Sequence, residues 1–234
     1  MTGTPTPPLS DHIAEGFGTS GASSGLYGVL ADYIAGPEMA GVLSQQYGVT
    51  PPTVIQPGMR LPASGQDGQV VDAIVDSANG IIWRFRYRQS APVPYQWEFI
   101  GGPALRSEVL TNETLSGTNA WSDLATVGPS ITAPFSGDYD FTFGCQPNTY
   151  TNINNTAISG IWNITKNAQS GLTMTVLTDS SGGNTNLTDT QSTRITAISA
   201  NDVMRLRYQL YGNNGPVSFS NRFLTILPVR VQGG

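Results

Sequence analysis

A mainly β protein is predicted by three features of the sequence. Charged residues are only 12% of the chain and hydrophobic ones 38%, and the remainder is dominated by Gly, Ser, Thr, Asn and Pro, the composition of short strands joined by many turns. Segments alternating between apolar and polar residues recur from residue 58 onward, with turn clusters between them. Helical spacing is confined to one stretch near the N-terminus. With 234 residues the chain exceeds the common single-domain size of ~100–150. Three parts are expected: residues 1–57, an arm with short helices; 58–106, a small β module; 107–234, an antiparallel β-sandwich or jelly roll.

The first part opens with Thr, Pro, Gly and Ser and little apolar content up to about residue 23, as in an arm that orders on docking. Leu26, Tyr27, Leu30, Tyr33 and Ile34 then fall at helical spacing. A second short helix is expected where Pro37 is followed by Met39, Val42, Leu43 and Gln46, with Ser24 and Pro37 at plausible starting positions. Two helices this short bury too little to stand alone, so this part is expected to anchor on a larger assembly. The stretch VTPPTVIQPGMRLPAS follows as a stiff, extended connector.

In the second part QVVDAIV reads as a strand, Asn79-Gly80 as a turn, IIWRFRYR as the partner strand and YQWEFIGG as a third. Period-2 alternation sends Ile81, Trp83, Phe85 and Tyr87 one way and Ile82, Arg84, Arg86 and Arg88 the other. The three arginines have two readings: a solvated face that discourages edge pairing, or an interface that docks a partner or an anion.

The third part offers AWSDLATV, SITAP, DYDFTFG, AISGIWNIT, LTMTVLT, TRITAIS, VMRLRYQL and FLTILPVRV as strands. About eight strands without a helical interruption suggest a sandwich or jelly roll. Alternation assigns to the core Tyr139, Phe141 and Phe143; Ile158, Trp162 and Ile164; Leu172, Met174 and Val176; and Met204, Leu206, Tyr208 and Leu210. Cys145 is the only cysteine, so no disulfide within the chain is possible, and it is expected as a buried, inert thiol.

Composition also narrows function. A net charge of -5 and a pI near 4.7 disfavour nucleic-acid binding, which needs clustered positive charge. No apolar run approaches the ~20 residues of a membrane span, and MTGTPTPPLSDH shows no signal peptide. The single histidine, His12, leaves no Ser-His-Asp or Cys-His set, and no Cys/His cluster suits zinc. Asp138 and Asp140 share a strand face, but ~7 Å of separation along a strand does not by itself make a glycosidase pair. The segment Asp179–Asp189 carries oxygen ligands on a Gly-rich loop but lacks calcium-loop spacing, and reads as a hairpin loop. Asn-x-Thr sequons fall at Asn112, Asn154, Asn163 and Asn186. No catalytic residue, cofactor or metal is therefore expected.

The segments LPASGQDGQVVDAIVDSANGIIWRFRYRQSAPVPYQWEFIGGPAL, VGPSITAPFSGDYDFTFG and FSNRFLTILPVRV resemble appendage proteins of actinobacterial siphophages, of the minor tail protein, tail fibre or head fibre type. The resemblance covers roughly residues 58–234. It implies a small β module followed by a jelly roll similar to tumour-necrosis-factor-like heads, commonly trimeric, on the surface of a virion and contacting other virion proteins. By the same analogy Tyr208 and Tyr211, on the strand after the ISAND segment, are expected at subunit contacts. The alternative function is a receptor-binding head for a cell-wall glycan. Exposed aromatics beside amides suit sugars, which points to the loops carrying Tyr150, Asn152, Asn154, Asn213 and Asn214.

Overall fold

The computed structural model describes residues 53–116, 119–148, 156–177, 189–211 and 216–234. The two short helices expected over 24–48, and His12, lie outside the described residues. The strands, in chain order, are β1 (Thr53–Ile55), β2 (Val70–Asp76), β3 (Ile81–Tyr87), β4 (Trp97–Gly101), β5 (Leu105–Val109), β6 (Glu113–Leu115), β7 (Ser130–Thr132), β8 (Gly137–Asn148), β9 (Thr156–Asn163), β10 (Ala168–Leu177), β11 (Asp189–Ile198), β12 (Val203–Tyr211) and β13 (Val217–Val231).

They form two sheets. The larger runs β1-β2-β3-β4-β13-β8-β11, with β5 and β6 also paired to β13, and the smaller runs β10-β9-β12-β7. The chain changes sheet between β6 and β7, β7 and β8, β8 and β9, β10 and β11, β11 and β12, and β12 and β13. That alternation between two antiparallel layers is jelly-roll connectivity, so the fold class predicted from the sequence is the one observed.

The last strand organises the larger sheet. Along one edge β13 pairs in turn with β6 (Val217–Phe219), β5 (Arg222–Ile226) and β4 (Arg230–Val231), and along the other with β8 over most of its length. Pro228 falls between the β5 and β4 pairings and beside a register shift with β8, where a missing N–H disturbs the ladder least. Residues 58–106 and 107–234, read separately from the sequence, are thus hydrogen-bonded into one sheet, and Thr53–Gly234 forms one compact unit.

The core is equally continuous. Trp83 and Phe85 on β3 are fully buried; Phe85 meets Phe135 edge to face at 5.6 Å and Trp83 lies 6.3 Å from Tyr139 on β8. Both buried indoles satisfy their N–H groups, Trp83 Nε1 donating to Pro103 O at 2.8 Å and Trp97 Nε1 to Pro62 O at 2.9 Å. Tyr208 on β12 reaches across to Phe219 on β13, ring centroids 4.8 Å apart, joining the two layers. The Asn79-Gly80 turn forms as read: Gly80 takes φ 66°, and Asp76 accepts hydrogen bonds from the Asn79 backbone and side chain.

Three local expectations are corrected. The face of β9 is reversed: Ala157, Ser159, Ile161 and Asn163 point inward, while Ile158 and Trp162 lie on the outer side and Ile164, just past the strand, is only half-buried. The outer side is not open to solvent, because the Trp121 indole lies over Gly160, where an added Cβ would sit 2.8 Å from the ring. Both faces of β9 are therefore covered, and alternation cannot rank them. The segment AWSDLATV is not a strand; Ser122 alone bridges to Tyr208. The stiff connector contains a real strand, β1, parallel to β2. The side chains of Leu172, Met174 and Val176 lie outside the described residues.

The long β13 changes phase twice. Val217 and Phe219 face inward, but a register shift between Ser220 and Phe223, with Asn221 at φ 47°, hands the inward positions to Arg222, Leu224 and Ile226. The bulge that seats two aliphatic residues also buries a guanidinium completely. Arg222 donates to Glu113 Oε2 at 3.2 Å and reaches Thr126 O and Thr111 O at 3.3 and 3.4 Å. Glu113 in turn holds the Thr126 backbone N–H and hydroxyl. Removing one partner of a buried pair leaves an uncompensated charge, so Arg222→Ala should lower unfolding free energy in urea by about 3–5 kcal/mol. A loss of only ~1 kcal/mol, typical of an exposed pair, would show that Glu113 is relieved by water.

Candidate functional site

The outer face of the larger sheet carries the arginines read as a possible interface, and they are paired across the strands. Arg84 grips Asp72, its register partner on β2, through Nε and Nη2 at 2.7 and 2.8 Å. Glu98 on β4 accepts from Arg88 Nε at 2.8 Å and Arg86 Nη2 at 3.2 Å. The row continues across the sheet: Arg230, opposite Glu98 on β13, donates Nε to Asp138 Oδ2 at 2.8 Å, and Arg194 on β11 forms a two-point contact with Asp140. Hydrogen bonds from Arg88, helped by Arg86, hold the Glu98 carboxyl below its usual range. An incoming anion would have to displace carboxylates already bonded to these guanidiniums, two of them in fork geometry, so this face is a charge-balanced surface.

The carboxylates weighed for glycan cleavage are likewise engaged. Asp138 is almost fully buried and accepts from Ala197 N as well as Arg230; Asp140 is half-exposed on Arg194. Among the described residues, no three His, Cys, Asp or Glu side chains converge as metal ligands, and no helix is long and apolar enough to cross a membrane.

Tyr208, read both as core and as a subunit contact, is completely buried. It is a core residue and reaches no surface, because even-numbered positions of β12 face inward. Tyr211 lies on the opposite side of the same strand and is 46% exposed. The same side of the smaller sheet carries an aromatic and cationic patch. Trp121 and Trp162 sit 6.0 Å apart, the Arg207 guanidinium lies 4.8 Å over the Trp162 ring, and Arg207 Nη2 donates to Trp121 O at 2.9 Å. Ser122 exchanges backbone hydrogen bonds with Tyr208, and Gln209 Nε2 holds Asn119 O at 2.7 Å. The sequence signal for this patch was the isolated Gly160 within a strand, which marks a close approach. The loops carrying Tyr150, Asn152, Asn154, Asn213 and Asn214 lie outside the described residues, as does nearly all of the Asp179–Asp189 segment.

The ISAND segment is a clamp. Asp202 is buried and accepts from Asn163 Nδ2 at 2.8 Å, Ser199 N at 2.9 Å and Lys166 Nζ at 2.9 Å. Asn163, a sequon asparagine, is therefore an internal strut. Its Oδ1 also accepts from Lys166 N.

No protein-family model matches the chain, and no curated protein matches it significantly. Among solved structures it is similar to Eiger TNF from S. frugiperda, at 10% identity and TM-score 0.35 over 56% of this chain and 95% of that one. It is also similar to the enzymatically active domain of bacteriophage CBA120 tailspike protein 4, at 14% identity and TM-score 0.30, over 53% of this chain and 19% of that one. A Stig cyclase, Fisc from Fischerella sp. TAU, follows at 11% identity and TM-score 0.26, over 74% of this chain and 83% of that one. These likenesses are distant, and the jelly-roll assignment rests on strand order alone.

Burial pushes the Asp202 carboxyl up, but the Lys166, Ser199 and Asn163 hydrogen bonds outweigh it and hold it below its ordinary value. Glu98 and Glu113 are lowered too. For lowered carboxyls the folded state binds fewer protons than the unfolded one, so their contribution is complete above the unfolded values near ~4 and is lost as pH falls through the folded ones. Chemical denaturation should therefore show stability declining below about pH 4, with a shallower decline in Asp202→Asn. An equal slope in the variant would contradict the clamp.

Proposed function

We propose that this chain is a noncatalytic structural protein of a bacteriophage virion, a head or tail appendage whose N-terminal part attaches to the particle and whose β head projects outward. The observation that carries the reading is where the resembling segments fall. WRFRYR lies on β3, YQWEFIGG on β4 and NRFLTILPVRV on β13, three strands that are hydrogen-bonded neighbours sharing the Trp83, Phe85 and Trp97 core. The resemblance to siphophage appendage proteins thus follows the framework of the head, where a family likeness reports architecture.

Physical properties support the same role. A particle-surface head needs resistance to unfolding and low nonspecific adhesion, and ion pairs laid along an otherwise hydroxyl-rich sheet face give a surface of nearly balanced charge. Homotrimeric assembly belongs to this proposal, since symmetric association shields sheet edges such as β11 and β10. Its surroundings are then other virion proteins, with neither nucleic acid nor membrane as partner.

A second reading, a glycan-binding head, is favoured by one feature: the half-buried Trp121 and Trp162 rings, 6.0 Å apart on the outer side of the smaller sheet, with the exposed Tyr211 further along the same face. Flat rings flanked by hydrogen-bonding groups suit sugar faces.

One set of experiments separates these readings. Antibody raised against residues 53–234 should label intact particles, and deletion of residues 1–52, which spares β1, should abolish labelling while the truncated head stays folded. Unlabelled particles would refute the virion assignment, and normal incorporation of the truncated chain would refute the anchoring. Saturable adsorption of the purified protein to host cells, competed by soluble sugar, would establish the second reading.

A further inference from the structure

The Asn79-Gly80 turn at the tip of the β2–β3 hairpin carries a reactive pair that the proposed function does not use. An asparagine side chain can be attacked at Cγ by the backbone nitrogen of the next residue, and glycine, with no Cβ, lets the two atoms approach. Among the described residues Asn79 is the one asparagine followed by glycine. Both residues are exposed, and a Cβ placed on Gly80 would meet open space.

The attacking nitrogen is free here and engaged at other asparagines. After Asn163 the next amide, Ile164 N, donates to Val203 O at 2.8 Å, and after Asn201 it is Asp202 N, donating to Ser199 O at 3.1 Å. Among the described residues the Gly80 N–H donates to no group. A bonded amide proton is held against the deprotonation that makes its nitrogen a nucleophile. Of these three sites, only Asn79 combines an unhindered approach with an available nitrogen.

Asp76 opposes the reaction. Its Oδ1 accepts the Asn79 N–H at 3.1 Å and its Oδ2 an Asn79 Nδ2 hydrogen at 2.7 Å. These bonds, the side-chain one most of all, hold the Asp76 carboxyl below its ordinary value. The carboxylate then acts in two ways. It tethers the amide whose carbon has to reach Gly80 N and whose nitrogen has to leave. Its charge also lies beside the nitrogen anion and the oxyanion through which the reaction passes, and like charge raises that barrier.

We propose that Asn79 is a site of spontaneous deamidation, held slow by Asp76, whose product unlatches the hairpin tip. The Gly80 N–H gives its proton to solvent base, Gly80 N bonds to Asn79 Cγ, the Cγ–Nδ2 bond breaks, and the nitrogen departs as ammonia with a proton from water. Water then opens the cyclic imide at either carbonyl, leaving aspartate or isoaspartate at position 79. The new carboxylate has no N–H to offer Asp76 Oδ2 and meets Asp76 with like charge, beside the Asp76–Ile81 pairing that closes the hairpin. Isoaspartate also routes the backbone through an extra methylene. The inference holds whether or not the chain belongs to a virion, since it rests on the turn alone.

The test incubates the folded full-length chain in mildly alkaline buffer and follows the tryptic fragment 61–84, in which Asn79 is the single asparagine, by mass and by separation of its aspartate and isoaspartate forms. The fragment is expected to gain the mass of amide-to-acid conversion, with isoaspartate present, more slowly than a synthetic peptide of the same sequence. Asp76→Ala should speed conversion in the folded chain about threefold or more, less than a buried charge-assisted bond would give, with the Phe85 amide still protected from exchange. Asp76→Ser should fall between. In Asn79→Asp the Asp76 carboxyl, followed by NMR, should titrate at a higher pH than in the parent chain. No conversion of the folded chain while the synthetic peptide converts fully, a rate that Asp76→Ala leaves unchanged or lowers, or an Asp76 titration that Asn79→Asp does not raise would each overturn the proposal.

Discussion

The insertion of β13 between β8 and the row of β4, β5 and β6 is the constraint on which the rest of the molecule depends. A strand with hydrogen-bonding partners on both edges has its backbone groups satisfied along most of its length, and here those partners span from Trp97 to Asn148 in sequence. Until that final segment is in place, β4 has one edge open, β5 and β6 have no strand partner, and the aromatic core of β3 and β4 is uncovered on the side of Tyr139. The long sequence separations of these pairings are those of a slow, nonlocal fold. They also fuse what reads as two parts of the sequence into one sheet.

The same strand explains the least expected side chain in the core. A fifteen-residue strand crossing a twisted sheet requires adjustments of register, and each bulge changes which residues face inward. At Asn221 the adjustment brings Leu224 and Ile226 into the sandwich and carries Arg222 with them. Glu113 and two carbonyls then tie β6 and the segment around Thr126 to β13. A buried ion pair is weak support for stability as such, but it fixes which loop covers this end of the core. Just before β12, Asp202 does the equivalent work with Lys166, Asn163 and the Ser199 N–H, tying the ends of β9 and β11 to the start of β12.

Much of this architecture was legible in the sequence because its signals are local. The alternation of Trp83, Phe85 and Tyr87 with Arg84, Arg86 and Arg88, the Asn79-Gly80 turn, and the inward runs Tyr139–Phe143 and Met204–Leu210 follow directly from a period of two. What remained hidden depends on nonlocal contacts. The face of β9 could not be read because Trp121 covers its outer side; β5 and β6 are short and polar and exist only as partners of β13; and the phase of β13 is set by bulges that no propensity announces. The arginine row was visible as a pattern, but its neutralisation by Asp72, Glu98, Asp138 and Asp140 required knowing which strands are neighbours.

The central claim is that residues 53–234 are one cooperative body held by its last strand, and native-state hydrogen exchange of the amides tests it most directly. If β13 is the common spine, the amides of Phe85 on β3, Phe141 on β8 and Ile226 on β13 should exchange only through global unfolding and converge on one opening free energy as denaturant rises. An opening free energy for β2–β4 markedly below that of β8 and β13, with its own denaturant dependence, would show an independent module and contradict the account.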